Sequence, residues 1–537
     1  MSIEPGPEVD VIVVGAGPIG LAAALLLERA GLSGVIFERH SARPKHPKAR
    51  GIRLRASELA RLWGFDEQLR AVAMPSETHR FIYTTTLSGE EIARTAPARG
   101  VLGSWASTTQ YRVAQDHLEE IMERQFATES NRVSLRAGQA VIAIEQDDDH
   151  VTVTSEDHDG ARSTTRGRYV IVADGVGSRV RTMLGLALGD QAPAPYWHSV
   201  YWHGDLSDLT HDRPAIMYYT QTGGDSLVGI APAGGVGRWI TIIQRPASVE
   251  RPEPLTGDEA RSVIRAAVGQ PDLVIDVVDS ATFRISADVV DRYRVGRAFL
   301  AGDAAHSLPP TGGFGINTGF ADIHNLIWKL AWVLREDAPV TLLDSYEPER
   351  RTVALSNAEW STGNAKRFIA LKKALAADDR VEIERLVAEQ SSHVDPVEQD
   401  LGFSYVPLAA NTPPSYERIA VGARAPHADI ETPSGPVSTL EVFDGALSLV
   451  VGRSSVWRAV AESQSVAPKL RVLVVGADGF RGTDNLLAER FDLGESGAAI
   501  IRPDGHVAWI DRDDTDASSE RLATVLGEVL STGLSRS

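Results

Sequence analysis

An apolar run opening onto three glycines, Val11-Ile-Val-Val-Gly15-Ala-Gly17-Pro18-Ile-Gly20, limits what this chain can fold into more than any other stretch. It leads directly into Leu21-Ala-Ala-Ala-Leu-Leu-Leu-Glu28 and reads as strand, tight turn, helix. At G-x-G-x-x-G spacing the first glycine permits the turn and the second lets a pyrophosphate approach the backbone. The third lets helix pack on strand, with the helix N-terminus facing the phosphates. A second short strand, Val35-Ile-Phe-Glu38, closes on an acid eighteen positions after Gly20, near the spacing of about 20 expected of a ribose ligand. Glu38 favours the unphosphorylated ribose of FAD or NAD over the 2′-phosphate of NADP, without choosing between those two nucleotides. A glycine-bearing turn in another α/β unit is the competing reading. The ordered set of strand, helix, second strand and acid weighs against it.

At 537 residues the chain exceeds a single core, so two or three domains are expected. With 43% hydrophobic and 23% charged residues it has the balance of a folded globular protein, and long disorder is not expected. A formal charge of −18 argues against nucleic acid or an anionic membrane as partner. The chain has no cysteine, which removes disulfides, thiolate metal ligands and thiol nucleophiles together. No metal site is expected, and any redox work falls to a cofactor. The run at 11–27 has the length of a signal-peptide core, but Glu4, Glu8 and Asp10 stand where positive residues would precede one. No apolar stretch reaches the ~18 residues of a membrane span, and a cytoplasmic location is expected.

Directly after the ribose acid, Lys45, Lys48, Arg50, Arg53 and Arg55 crowd one loop. A solvated loop is one reading; in an acidic protein, anion contacts beside a nucleotide site are the other. Residues 59–77 are expected to be helical and 78–103 to form short strands outside the nucleotide unit. Val113, Leu118, Ile121 and Phe126 recur at near-helical spacing and predict a helix over 110–126. Strands follow at 141–145, 151–155 and 168–173, with a hairpin turn at 157–160. The last ends in Ala173-Asp174-Gly175, followed by Arg179 and Arg181, a set suited to a phosphate chain or to an ordinary turn.

Residues 186–284 read as strands rich in Tyr, Trp and His, serving either the sheet's own core or the wall of a pocket for a flat apolar ligand. A buried strand then runs into Asp303, the loop Pro309-Pro310-Thr-Gly-Gly313-Phe314-Gly315-Ile316 and a long helix. So many glycines cost conformational entropy unless the loop backbone holds something. A flavin fits, because its planar ring needs close backbone approach and N–H groups at a helix start stabilise negative charge on the reduced ring. Residues 357–400 are charged and helical. Beyond about 400, short strands are expected at 421–427, 447–451, 470–475 and 498–509, with helices between.

The G-x-G-x-x-G with Glu38, the Ala-Asp-Gly at 173–175, and Gly-Asp-Ala-Ala-His at 302–306 with Pro-Pro-x-Gly-Gly and Asn-x-Gly after it, resemble the single-component FAD-dependent aromatic hydroxylases. That family includes p-hydroxybenzoate, phenol and polyketide hydroxylases, and the resemblance runs through 9–60, 105–185 and 290–355. It implies an α/β fold with a Rossmann-like FAD-binding domain from 1–77, 104–185 and 285–400. An inserted β-sheet substrate domain would comprise 78–103 and 186–284. A thioredoxin-like C-terminal domain, 401–537, would be structural or interfacial, since without cysteine it cannot exchange thiols.

The resemblance further implies cofactor contacts from Gly15, Gly17, Pro18, Gly20, Glu38, Arg39, Arg55, Gln115, Val141, Asp174 and Gly175. From the later motif it adds Asp303, Pro310, Gly313, Phe314, Gly315 and Ile316. Two departures stand out: the usual Gly-Gly-Gln-Gly reads Gly312-Gly-Phe314-Gly, and a common arginine is Lys48. The implied reaction uses NAD(P)H to reduce FAD. O2 then adds at flavin C4a, and the hydroperoxide passes oxygen to a phenolic or polycyclic polyketide-type ring while the protein excludes water and helps form the phenolate. Arg53, His203, Tyr218 and Tyr219 are candidates for that last role, with simple packing as the competing reading of each. Baeyer-Villiger or epoxidising chemistry and a non-catalytic flavin-binding protein are the alternatives; a halogenase would carry Trp-x-Trp-x-Ile-Pro, which is absent. The expected partners are a small aromatic substrate, O2 and NAD(P)H, with a homodimer left open.

Overall fold

A computed structural model of the chain describes residues 5–97, 105–189, 194–221, 227–248, 250–336, 338–390, 394, 396–407, 414–463, 470–477 and 479–535. The opening apolar run is the strand Pro5–Val14, central in an eight-stranded sheet and parallel to Gly34–Glu38 on one side and Arg162–Val172 on the other. Val11, Ile12 and Val13 are all fully buried, as in a parallel strand covered on both faces. Ala298–Leu300 adds in parallel beyond Arg162–Val172, and Val133–Ala137 beyond Gly34–Glu38. The strands Gln139–Gln146 and Val151–Asp157 meander antiparallel onto the first half of Arg162–Val172. Three parallel neighbours therefore end side by side at Val14, Val172 and Leu300. Their outgoing turns are the three glycine-bearing motifs, brought together at the carboxyl edge where open α/β sheets bind ligands.

A second sheet of seven strands takes the order Asp276–Arg284, Ala194–His203, Arg238–Ser248, Leu227–Pro232, Met217–Gln221, Phe81–Thr84, Glu91–Arg94. All pairs are antiparallel except Met217–Gln221 with Phe81–Thr84. One face packs Val200, Trp202, Tyr218, Val228 and Ile230 under the helix Gly257–Val268. The opposite face carries Phe81, Tyr83, Met217 and Tyr219.

The C-terminal sheet has the order Leu470–Val474, Leu447–Val451, Ala498–Ile501, Val507–Asp511, the first pair parallel and the rest antiparallel, with helices Val456–Ser463 and Ser519–Thr532. This is the thioredoxin-like arrangement. Its core is continuous with the rest of the molecule, because Trp328 and Trp332 of the helix Gly315–Arg335 pack among Trp457, Trp509 and Leu522.

Several expectations need correction. The helix expected over 59–77 is two helices, Leu54–Leu62 and Asp66–Val72, broken at Gly64, whose φ of +77° leaves the helical region. The helix expected over 110–126 is Gln115–Glu129, since Tyr111 is extended and bridges Ile52. Residues 186–284 hold the helix Gly257–Val268, capped by Thr256 and Glu259 in a reciprocal box that was legible as Thr-x-x-Glu. The strand expected at 421–427 is reduced to isolated bridges at Ala423 and Arg424. The proposed boundary between 103 and 104 lies outside the described residues.

Candidate active site

The first turn is built for close approach. Gly15 has a φ of +100°, and a Cβ there would meet the Ala173 carbonyl. A Cβ on Gly20 would run into the Gly15 carbonyl oxygen, which is how helix Pro18–Arg29 packs so tightly on its strand. Pro18 takes the first helical position, and neither a capping side chain nor an acid occupies the first turn, so the N–H groups there face outward. Glu38 pins the turn by accepting from Ala16 N at 2.9 Å and from His40 N at 2.9 Å. Arg39 and Val141 line the same end of the cavity.

The second and third motifs are tied to each other. Arg181 donates to the carbonyl of Ala304 at 3.1 Å, joining the 174–181 segment to the loop that bears Asp303. Asp174 accepts from Arg179 N at 3.1 Å through Oδ2, while its buried Oδ1 has no partner. Behind the loop, buried Asp322 takes His306 at 2.8 Å, Arg350 at 2.9 Å and Gly302 N at 3.2 Å. Burial pushes its carboxyl up, but His306 and Arg350 outweigh burial and hold it below the usual range.

Asp303 makes no hydrogen bond among the described residues and faces the cavity. Much of its surface is accessible, yet only from within an enclosure, and burial raises its carboxyl with partial relief from His306 and Lys48. The orphaned Asp174 oxygen, the open helix start and the glycine cradle together fit a phosphorylated dinucleotide with a flat ring. Gln115 also reaches this stretch, accepting from Ala49 N at 3.3 Å and donating to Glu119 at 2.7 Å.

The chain matches the FAD binding domain family over residues 8–361 and the aromatic-ring hydroxylase C-terminal family over 419–532. It belongs to the FAD-dependent aromatic hydroxylases. It is similar to 4-methyl-5-nitrocatechol 5-monooxygenase of Burkholderia sp, 30% identical over 98% of each chain. Aklavinone 12-hydroxylase RdmE of Streptomyces purpurascens is 30% identical, over 97% of this chain and 99% of that one. Among solved structures, the flavin-dependent monooxygenase PieE in complex with FAD and substrate superposes with a TM-score of 0.90 at 28% identity, covering 98% of this chain and 100% of that one.

The hydroxylase's cavity has a volume of about 1320 Å³ and runs unbroken from the glycine turn, past Asp303 and Pro310, to the second sheet. Gly175, Gly313, Phe314, Gly315 and Ile316 line its middle; Tyr196, Trp197, Met217, Tyr219, Ile242 and Phe283 line its far end. Asn317 laces the basic loop to the glycine loop, accepting from Arg53 N at 2.8 Å and donating to the carbonyls of Gly51 at 3.1 Å and Gly313 at 2.6 Å. Arg53 lies over the Phe314 ring at 4.7 Å, donates to Gly312 O at 3.1 Å and pairs with Asp400 at 2.7 Å. Phe314 in turn meets Trp360 edge-on at 5.4 Å. The departure at 314 thus exchanges a polar side chain for an aromatic that holds a guanidinium.

Not every candidate reaches the cavity. Arg55 turns away: its guanidinium meets Glu58 at 3.1 Å and the Asp504 carbonyl at 3.2 Å, at the junction with the C-terminal unit. Tyr218 alternates to the face opposite Tyr219, as neighbours on a strand must, and its hydroxyl is spent on Arg213 O and Ala215 N. His203 sits half-exposed at a strand end against the Tyr201 hydroxyl at 2.9 Å. Arg53 and Tyr219 both line the cavity, Tyr219 stacked on Tyr83 at 5.2 Å, with burial pushing its hydroxyl up to about 12.

Among the cavity residues outside the sequence-based site set are two arginines, Arg50 and Arg112. In the sequence Arg50 is one of five basic residues in a loop, with nothing to set it apart. Arg112 fell inside a stretch read as helix and carries no sequence signal of its own. Burial holds Arg50 at about 10 and Arg112 at about 9, the latter lowered further by Arg53 and Arg50, so both stay charged at neutral pH.

Proposed function

We propose that this hydroxylase inserts oxygen into a phenolic or polycyclic polyketide-type ring, with NAD(P)H as reductant and O2 as oxygen donor. The observation that carries the reading is the single cavity of about 1320 Å³ joining the dinucleotide turn to an aromatic-lined wall. One-ligand pockets occupy roughly 300–1,000 Å³, so there is room for a dinucleotide and a second, flat molecule. The nitrocatechol and aklavinone in the relatives' names bracket the ring sizes this reading allows.

In this reading 1–77, 104–185 and 285–400 serve the flavin, 78–103 and 186–284 the substrate, and 401–537 supports both. Gly15, Gly17, Pro18, Gly20, Glu38, Arg39 and Val141 take the adenosine and pyrophosphate end. Gln115, Asp174, Gly175 and Asp303 take the middle, and Pro310 and Gly313 to Ile316 lie along the ring. Bound FAD supplies hydride acceptance and dioxygen activation. The chain supplies the rest: the start of helix Gly315–Arg335, with no acid in its first turn, offers N–H groups to negative charge on the ring. Trp197, Met217, Ile242 and Phe283 exclude water from the reacting centre.

The test is a panel of phenols, naphthols and polycyclic quinones. Substrate-stimulated NAD(P)H oxidation with one oxygen inserted per product, read by mass spectrometry, is expected. Consumption of NAD(P)H yielding only peroxide across the panel overturns the reading. Asp303→Ala should give a folded protein at least about tenfold weaker for FAD, since a charged hydrogen-bond partner is lost. Full flavin content after purification would contradict its assignment.

A further inference from the structure

The far end of the cavity carries a positive charge that the described residues of its wall do not fully balance. Arg50, Arg53 and Arg112 stand together, and the carboxylate beside them, Asp400, is taken by Arg53 at 2.7 Å. Arg50 donates to two neutral acceptors, the carbonyls of Ile216 at 3.1 Å and Pro232 at 3.4 Å, which fix it at the second sheet and away from the glycine turn. Arg112 Nε is buried without a hydrogen-bond partner, and its Nη1 lies so close to Gly51 that a Cβ there would sit 2.6 Å from it. Among the described residues neither Arg50 nor Arg112 forms an ion pair.

Neighbouring titratable groups do not compensate. Tyr219 is pushed up to about 12, and His79 is pushed down to about 4, by burial first and then by Arg112; both are neutral at pH 7. Enclosed guanidiniums without counter-charge destabilise a fold, a burden that clusters at sites where a ligand relieves it. Each guanidinium has five donors in a fixed fork, and most of Arg50's are unspent. The surrounding wall is apolar, from Met74, Phe81, Met217 and Tyr219, so an anion entering here travels on an apolar body.

We propose that Arg50 and Arg112 form an anion subsite at the substrate end, and that the aromatic substrate enters carrying a carboxylate or ionised hydroxyl whose oxygens accept from both guanidiniums. The inference rests on the aromatic-substrate reading of this cavity and narrows it to anionic aromatics.

In the FAD-loaded protein, 2- and 4-hydroxybenzoate are titrated against their methyl esters, and a nitrophenol on either side of its own ionisation, with perturbation of the flavin absorbance as the readout. The anions are expected to bind about 10- to 100-fold more tightly than their neutral partners. The hydroxybenzoates and the nitrophenol report separately on carboxylate and phenolate. Arg50→Met and Arg112→Met, each checked for FAD content and melting temperature, should abolish that preference while leaving ester binding and the KM for NAD(P)H within about twofold, because only the anionic partner loses a charged hydrogen bond. Arg112→Lys should keep part of it.

Equal binding of acids and esters by the unaltered protein overturns the subsite while leaving an aromatic substrate in place. A raised KM for NAD(P)H with the acid preference intact also overturns it, assigning the charge to the dinucleotide's phosphates. Failure of any aromatic to perturb the flavin removes the parent reading, and the subsite with it. The acid-to-ester ratio of the unaltered protein needs no variant and decides the matter where a variant does not fold.

Discussion

Two groups of enclosed arginines lie in this hydroxylase, one fully buried and one half-buried along the cavity wall, and they are finished differently. At the junction with the C-terminal unit, Arg55 and Arg424 share Glu58, Arg502 spans Glu349 and Asp504, and Arg350 holds Asp322. Lys329 joins Glu349 at 2.8 Å, and Asn325 donates to it at 2.6 Å. Burial raises the Glu349 carboxyl, but Arg502 and Lys329 outweigh it and hold it at about 2. In the cavity, among the described residues, Arg50 has two carbonyls, Arg112 has a guanidinium nitrogen without a partner, and neither forms an ion pair. The first arrangement fastens two cores together; the second is left with charge to offer. A buried cation is therefore structural or functional according to whether the protein itself supplies its counter-charge.

The sharpest way to break that contrast is to remove a shared carboxylate. Glu349→Ala leaves Lys329 and Arg502 without it, and removing one partner of a buried pair costs about 3–5 kcal/mol. The apparent unfolding midpoint in denaturant should drop accordingly; an unchanged midpoint would mean that the junction is not held by its charges.

Acid should loosen the same junction. Burial pushes His324 down to about 3, with Arg55 adding to the effect, and pushes His427 and His506 down to about 4. Their folded values lie below the ordinary 6.5, so the unfolded chain binds protons that the folded chain refuses. Their contribution is complete above pH 6.5 and lost as pH falls toward about 4 for His427 and His506 and toward about 3 for His324. The melting temperature should decline across that window, and His324→Gln should flatten the decline. Parallel slopes in the two proteins would contradict the assignment.

Arg50→Met should behave in the opposite sense to Glu349→Ala. Taking out an uncompensated cation leaves the ligand-free protein as stable as before or more stable by up to about 1 kcal/mol. A loss of several kcal/mol would place Arg50 with the structural group. The smallest effect is expected at the half-exposed pair Arg61–Glu441, 2.9 Å apart. Arg61→Met should change stability by no more than about 1 kcal/mol, diminishing with salt, as equilibrium unfolding at low and high ionic strength would report.

Much of the fold was legible because its signals are local. Gly15, Gly17 and Gly20 act on the backbone of their own turn, Glu38 ends the strand beside it, and Asp303 precedes a loop whose glycines speak for themselves. The adjacency of these motifs is less local, yet the strand-loop-helix pattern of each predicts its place at the carboxyl edge of a parallel sheet. Where reading failed, the missing information was a partner. Nothing near Arg55 in the sequence announces Asp504, 449 positions away. Tyr218 and Tyr219 are chemically alike, and only the pleat separates the one under helix Gly257–Val268 from the one facing the cavity.

The sequence by itself therefore determined the nucleotide-binding turns, the family and the absence of thiol chemistry, since each depends on residue type at short spacing. Tertiary structure alone decided which buried charges are paired. Coulomb attraction and desolvation depend on distances between side chains hundreds of positions apart, and Arg53 finds Asp400 while Arg50 and Arg112 find no acid among the described residues.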